Sequence, residues 1–159
     1  ELRELTLGCQ ALEVVPMWLG EFANLEMLKL DGDNGNYEGN TRVEVLPASL
    51  GNLGKLEHLA LEGFDQVKKL PCIEKLTLLK ALRIHHFEAL QELPSFSRFA
   101  ALETLHIEDC LVLPTSLGAL TGLKTLGLST FSLHELPLGF GQLTSLTELS
   151  LVDFDELAE

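Results

Sequence analysis

The chain has 159 residues, 46% of them hydrophobic, and a formal net charge of −13. That content suits one domain with a continuous core. The acidic balance argues against nucleic acid and anionic membranes, since phosphate binding needs clustered Lys and Arg. No apolar run approaches the roughly 18 residues of a membrane helix, so no membrane association is expected. A basic partner would be steered towards such a surface.

One spacing recurs from the first residues onward, Leu-x-x-Leu-x-Leu or the same with Ile last. Its seven copies are Leu2/Leu5/Leu7, Leu25/Leu28/Leu30, Leu56/Leu59/Leu61, Leu79/Leu82/Ile84, Leu102/Leu105/Ile107, Leu123/Leu126/Leu128 and Leu146/Leu149/Leu151. The steps between first leucines are 23, 31, 23, 23, 21 and 23 residues. This is the signature of a leucine-rich-repeat solenoid, and it predicts one domain over residues 1–159. Each copy alternates apolar and variable residues as a half-buried strand does. Strands recurring in one direction pair in parallel, with the rest of each repeat as crossover. The fold class expected is therefore an α/β repeat solenoid. About seven parallel strands form the concave face, with short helical or 3-10 turns and loops on the convex side.

The prolines share one phase: Pro16, Pro47, Pro71, Pro94, Pro114 and Pro137 each follow an apolar residue, 8 or 9 residues before the next strand. Proline fixes φ and pushes the preceding residue to an extended shape. Leucines three apart after it, as in Pro47 to Leu53, predict one helical turn closed by Gly51, Gly118 or Gly141. The third and fourth crossovers use Ile73/Leu76 and Phe96/Phe99 for the same inward positions. Eight residues past the first leucine, the place of the Asn or Cys of many such repeats, stand Gln10, Asp33, Phe64, Phe87, Cys110, Phe131 and Phe154. Its phenylalanines should form an apolar spine.

The second repeat carries about eight extra residues within 32–42, and the segment from Asp31 to Thr41 is all turn formers and acids around Tyr37. Insertions in solenoids go to loops, often on the binding face, which makes Tyr37 a candidate contact. Asp31, Asp33 and Glu38 are hard oxygen donors of the kind calcium takes. The EF-hand order is only half met, with Gly35 at a ligand place and Arg42 at the twelfth. The fifth repeat is two residues short, and Cys110 should point inward as a small hydrophobe. Cys9 falls one place off the inward position and is expected to be more exposed.

Outward strand positions form columns. The central one is Thr6, Lys29, Ala60, Arg83, His106, Gly127 and Ser150; the next is Gly8, Asp31, Glu62, His85, Glu108, Ser129 and Val152. Cys9, Gly32, Gly63, His86, Asp109, Thr130 and Asp153 follow. With the two variable places after each first leucine, this face holds ten acids against five Lys or Arg. Side chains here need no packing partner and are free for recognition. Lys29, Asp31, Tyr37, Glu62, Arg83, His85, His86, His106, Glu108 and Asp109 are the candidate protein-binding residues. The ligand expected is a basic or mixed-charge protein segment. His85 should lie one strand from both Glu62 and Glu108, a setting that suggests a pH-sensitive patch, or a metal set of His85, His106 and Glu108. No nucleophile–base constellation or phosphate-cradling loop is present, so binding rather than catalysis is expected, with no cofactor.

The pattern Leu-Pro-x-Ser-Leu-Gly-x-Leu-x-x-Leu, at Leu46 to Leu56 and Leu113 to Leu123, resembles the intracellular leucine-rich repeats of plant NLR disease-resistance proteins. Leu102-Glu-Thr-Leu-His-Ile-Glu-Asp-Cys110 resembles that family's strand-plus-cysteine signature. The Leu-x-Gly-x-Ile-Pro phrase of extracellular plant repeats does not occur. The resemblance implies a module that recognises pathogen effectors or modified host proteins and holds a nucleotide-binding domain inactive. Two other readings fit a repeat array: the substrate-recognition part of a bacterial effector ubiquitin ligase, and an intracellular scaffold. Three cysteines without paired spacing, no Asn-x-Ser/Thr sequon and no signal peptide favour a cytoplasmic location. Both end repeats lack a polar cap, which predicts a fragment of a longer protein and self-association through its ends.

Overall fold

The computed structural model describes residues 1–33, 42–110, 113, 116–129 and 139–153. Seven strands form one parallel sheet in sequence order: β1 (Glu4–Gly8), β2 (Met27–Asp31), β3 (His58–Glu62), β4 (Ala81–Phe87), β5 (Thr104–Cys110), β6 (Thr125–Ser129) and β7 (Glu148–Val152). The register never slips, despite crossovers of unequal length. Thr6, Lys29, Ala60, Arg83, His106, Gly127 and Ser150 are successive partners, and so are Gly8, Asp31, Glu62, His85, Glu108, Ser129 and Val152.

The core lies behind this sheet. Leu28, Leu59, Leu82, Leu105 and Leu126 make one inward row, and Leu30, Leu61, Ile84, Ile107 and Leu128 the next; all are buried. The convex wall is built from single 3-10 turns: Met17–Glu21, Ala48–Asn52, Ile73–Lys75, Phe96–Arg98, Leu117–Ala119 and Phe140–Gln142. Pro16 and Pro47 hold the extended conformation just before the first two, with ψ of 133° and 135°. Leu19, Leu50, Ile73, Phe96 and Leu117 bury one side of each of the first five turns. Pro114 and Pro137 lie outside the described residues.

Glycine in these turns serves close approach rather than termination. Gly51 and Gly118 lie within their turns, not after them. A Cβ on Gly51 would stand 2.6 Å from the Cys72 carbonyl oxygen, and one on Gly118 would meet the Gly139 carbonyl. Small residues here let consecutive turns touch. Gly141 meets nothing within 4 Å, so no such constraint acts on it.

Phe64, Phe87 and Cys110 fill the inward column after the strands, and the Phe64 and Phe87 rings stand 5.7 Å apart. Phe131 and Phe154 lie outside the described residues. Where asparagine would bond the turn backbone, neighbouring peptides do so: Phe64 N–H donates to His86 O, Val67 N–H to Phe64 O and Leu90 N–H to Phe87 O. At the first turns side chains serve as well: Gln10 Nε2 donates to Asp33 O at 2.8 Å, and Asp31 Oδ1 accepts from the Asp33 N–H at 3.1 Å.

Cys9 corrects the expectation of exposure: it is fully buried, its thiol directed to the Leu7 carbonyl. Burial pushes the Cys9 thiol up to about 11 and the Cys110 thiol up to about 12, while Cys72 is exposed. A thiol reagent at pH 8 therefore modifies one cysteine in the native protein and all three in denaturant. Counting released chromophore before and after guanidinium addition checks this; rapid native labelling of Cys9 or Cys110 would contradict it.

Candidate recognition face

The strand register brings the outward side chains into a run of alternating charge. Lys29 Nζ lies 3.3 Å from Asp31 Oδ2 and also pairs with Glu62. Arg83 Nε lies 3.3 Å from Glu62 Oε1, and its Nη2 lies 3.4 Å from Glu108 Oε2. His85 Nε2 continues the run, 3.5 Å from Glu108 Oε2 and 3.1 Å from Asp109 Oδ2. His86 Nε2 lies 2.9 Å from the same Asp109 oxygen, and its Nδ1 lies 3.9 Å from Asp33 Oδ2. The Glu62 carboxylate, hydrogen-bonded to Lys29, holds that ammonium above the ordinary lysine value. Each pair is partly exposed and contributes at most about 1 kcal/mol. Their joint effect is to hold long side chains in place.

Nine of the ten candidate residues are thereby located on one face. Lys29, Asp31, Glu62, Arg83, His85, His86, Glu108 and Asp109 form the connected run. His106 shares the central column but not the cluster, since its imidazole packs against the backbone of Gly127 on β6. The metal set of His85, His106 and Glu108 is therefore not the one assembled. Tyr37 and Glu38 lie outside the described residues. Of the calcium donors, Asp31 is engaged by Lys29 and by the Asp33 amide, at 3.1 Å.

Two features were not foreseen. His86, Asp109 and Asp153 adopt left-handed backbone, with φ of 54°, 53° and 57°, as does Gly63 at 75°. This breaks strict alternation at the strand ends. Two consecutive side chains, His85 with His86 and Glu108 with Asp109, stay on the outer face, while Phe87 and Cys110 turn inward. The glycine and aspartates in that column were the available sign, because they tolerate such φ. The second is Asp65, whose Oδ1 is buried without a hydrogen-bond partner among the described residues. Burial raises its pKa, with Glu88, Asp33 and Asp109 acting the same way and His86 opposing. Nothing in the repeat spacing marked it.

Next to the charged run, Ala60 and Ala81 leave an open recess of about 270 Å³, bordered by Thr6, Met27, Thr104 and His106. Small side chains between Lys29 and Arg83 make a place for an apolar group beside charged ones.

Solved structures with this architecture are leucine-rich-repeat domains, and this chain has that fold. An internalin from Listeria monocytogenes matches at a TM-score of 0.63 and 22% identity, covering 94% of this chain and 47% of its own. The leucine-rich-repeat ectodomain of the Arabidopsis receptor kinase HAESA, in complex with an extended IDA peptide hormone, matches at 0.65 and 25%, covering 96% and 26%. The leucine-rich-repeat domain of the type III effector XopL matches at 0.56 and 23%, covering 98% and 46%. The chain thus spans less than half the length of each. No protein-family model and no curated protein sequence matches it.

Asp65 gives this face a measurable pH signature. A carboxyl with raised native pKa contributes most stability when protonated, and that contribution is lost as pH rises through the native pKa. Asp65→Asn should therefore raise the thermal midpoint at pH 7, and its advantage should shrink towards pH 4. A midpoint lowered at pH 7 would contradict the assignment.

Proposed function

We propose that this chain is a protein-recognition module whose concave face takes an extended, basic or mixed-charge protein segment. The observation that carries the reading is the connected run from Asp31 to Asp33. It holds five carboxylates, Asp31, Asp33, Glu62, Glu108 and Asp109, and two permanent cations, Lys29 and Arg83, so three negative charges are in excess. Complementary charge of this kind sets register and association rate. The recess at Ala60 and Ala81 supplies an apolar anchor point beside it. The HAESA ectodomain is complexed with a peptide hormone, and a peptide-like ligand is what is carried over here; its place on the strand-built face rests on the charged run of this chain.

The finer reading is the sensing and autoinhibitory repeat region of a plant intracellular immune receptor, acting in the cytoplasm. It rests on the Leu46–Leu56 and Leu113–Leu123 phrases. On that reading residues 1–159 are part of a longer chain, with a glycine-rich phosphate loop encoded upstream. A catalytic domain downstream would instead favour the effector ubiquitin ligase.

A displayed library of random peptides selected on the whole chain tests the binding mode. Lys- or Arg-bearing peptides with one apolar residue should be enriched, and their affinity should fall with salt. Ala60→Arg, which fills the recess, should abolish it. Arg83→Glu should leave the chain folded, with a modestly lower unfolding midpoint because a third carboxylate then stands beside Glu62 and Glu108, and tighten basic peptides about 2–10-fold. Enrichment of acidic peptides, or indifference to Ala60→Arg, would overturn the proposal.

A further inference from the structure

His85, His86 and Asp109 stand together where β4 and β5 end. One ligating atom of each lies within 4.8 Å of the others, and all three side chains are half-buried. The two imidazole rings are stacked, with centroids 3.9 Å apart and planes 24° from parallel. Their Nε2 atoms converge on a single oxygen, Asp109 Oδ2, at 3.1 and 2.9 Å.

From this geometry we infer a zinc-type divalent metal site formed by His85 Nε2, His86 Nε2 and an Asp109 carboxylate oxygen. Zinc takes histidine nitrogen and carboxylate oxygen at about 2.0–2.2 Å, which separates tetrahedral ligands by about 3.4 Å. The two nitrogen–oxygen separations differ from that by a few tenths of an ångström, and the stacked rings must tilt towards one another for both Nε2 lone pairs to meet at one ion. Glu108 Oε2, 3.5 Å from His85 Nε2, is a fourth donor within reach. The Asp33 carboxylate sits on the Nδ1 side of His86, where outer carboxylates orient metal-bound imidazoles.

Charge and backbone agree with the donor set. Lys29 and Arg83 are engaged with Asp31, Glu62 and Glu108, so the carboxylates around the histidines exceed the cations facing them. A divalent ion offsets that excess where a single lysine would not. The left-handed backbone of His86 and Asp109 aims these two side chains at His85. Nitrogen ligands select zinc, cobalt or nickel over calcium and magnesium.

The test uses the whole chain carrying Cys72→Ser, which removes the one exposed thiol that would compete for zinc. Zinc chloride is titrated calorimetrically while histidine side-chain nitrogen resonances are followed. The expected result is one zinc per chain, with His85 and His86 Nε2 shifting and His58 and His106 unmoved. His85→Gln, His86→Asn and Asp109→Asn should each weaken binding at least about tenfold, and His106→Gln should leave it unchanged. Asparagine accepts left-handed φ, so the last two ligand variants retain the turn. Any of three results would overturn the site: no zinc bound at about 1 mM, binding insensitive to Asp109→Asn, or displacement of zinc by an equal concentration of calcium.

Discussion

Parallel register is the constraint on which everything else in this molecule depends. Each of β2 to β6 presents two buried leucine or isoleucine side chains to the core, and a slip of one residue would carry both to solvent. Across six strand interfaces no slip occurs, although one crossover is eight residues longer than its neighbours and another two shorter. Loop closure explains the tolerance: lengthening a surface loop costs little, about 0.6 kcal/mol per doubling. Exposing a buried leucine costs about 1.5–3 kcal/mol. The inward rows therefore set the register and the crossovers absorb the difference.

A fixed register makes straight columns on the outer face. Arg83 can bridge Glu62 and Glu108 only because β3, β4 and β5 stand level. Left-handed residues at the strand ends then double the density of outward side chains there. Phe87 and Cys110 turn into the core one step later, and their burial offsets the backbone cost at His86 and Asp109. The packing that closes each repeat is thus the same packing that brings His85, His86 and Asp109 together.

Strands, inward rows and outward columns were legible in the residues because one physical period repeats seven times. Proline phase located the convex turns for the same reason. Side-chain direction within the outer face was less so. His106 shares a column with Arg83, yet leans on Gly127, because a glycine on the next strand leaves a hollow for an imidazole. That contact depends on a neighbour 21 residues away, not on local spacing. Cys9 was misjudged because β1 keeps alternating past Gly8, with no left-handed residue there, and so carries Cys9 inward where β4 and β5 keep His86 and Asp109 outward. A period-two extrapolation cannot see a change in the sign of φ. The roles of Gly51 and Gly118 likewise follow from which backbone lies across from them.

The central claim is that β4 alternates inward and outward through Ile84, then keeps two residues outward before Phe87 returns to the core. Equilibrium urea unfolding of single variants along β4, with alanine at 82, 83, 84, 85 and 87 and glycine at His86, tests it directly. Leu82, Ile84 and Phe87 should each cost about 2–5 kcal/mol. Arg83, His85 and His86 should each change stability by less than about 1 kcal/mol. A His86 variant as costly as Ile84→Ala, or a harmless Phe87→Ala, would show that alternation continues unbroken and that the face is built otherwise.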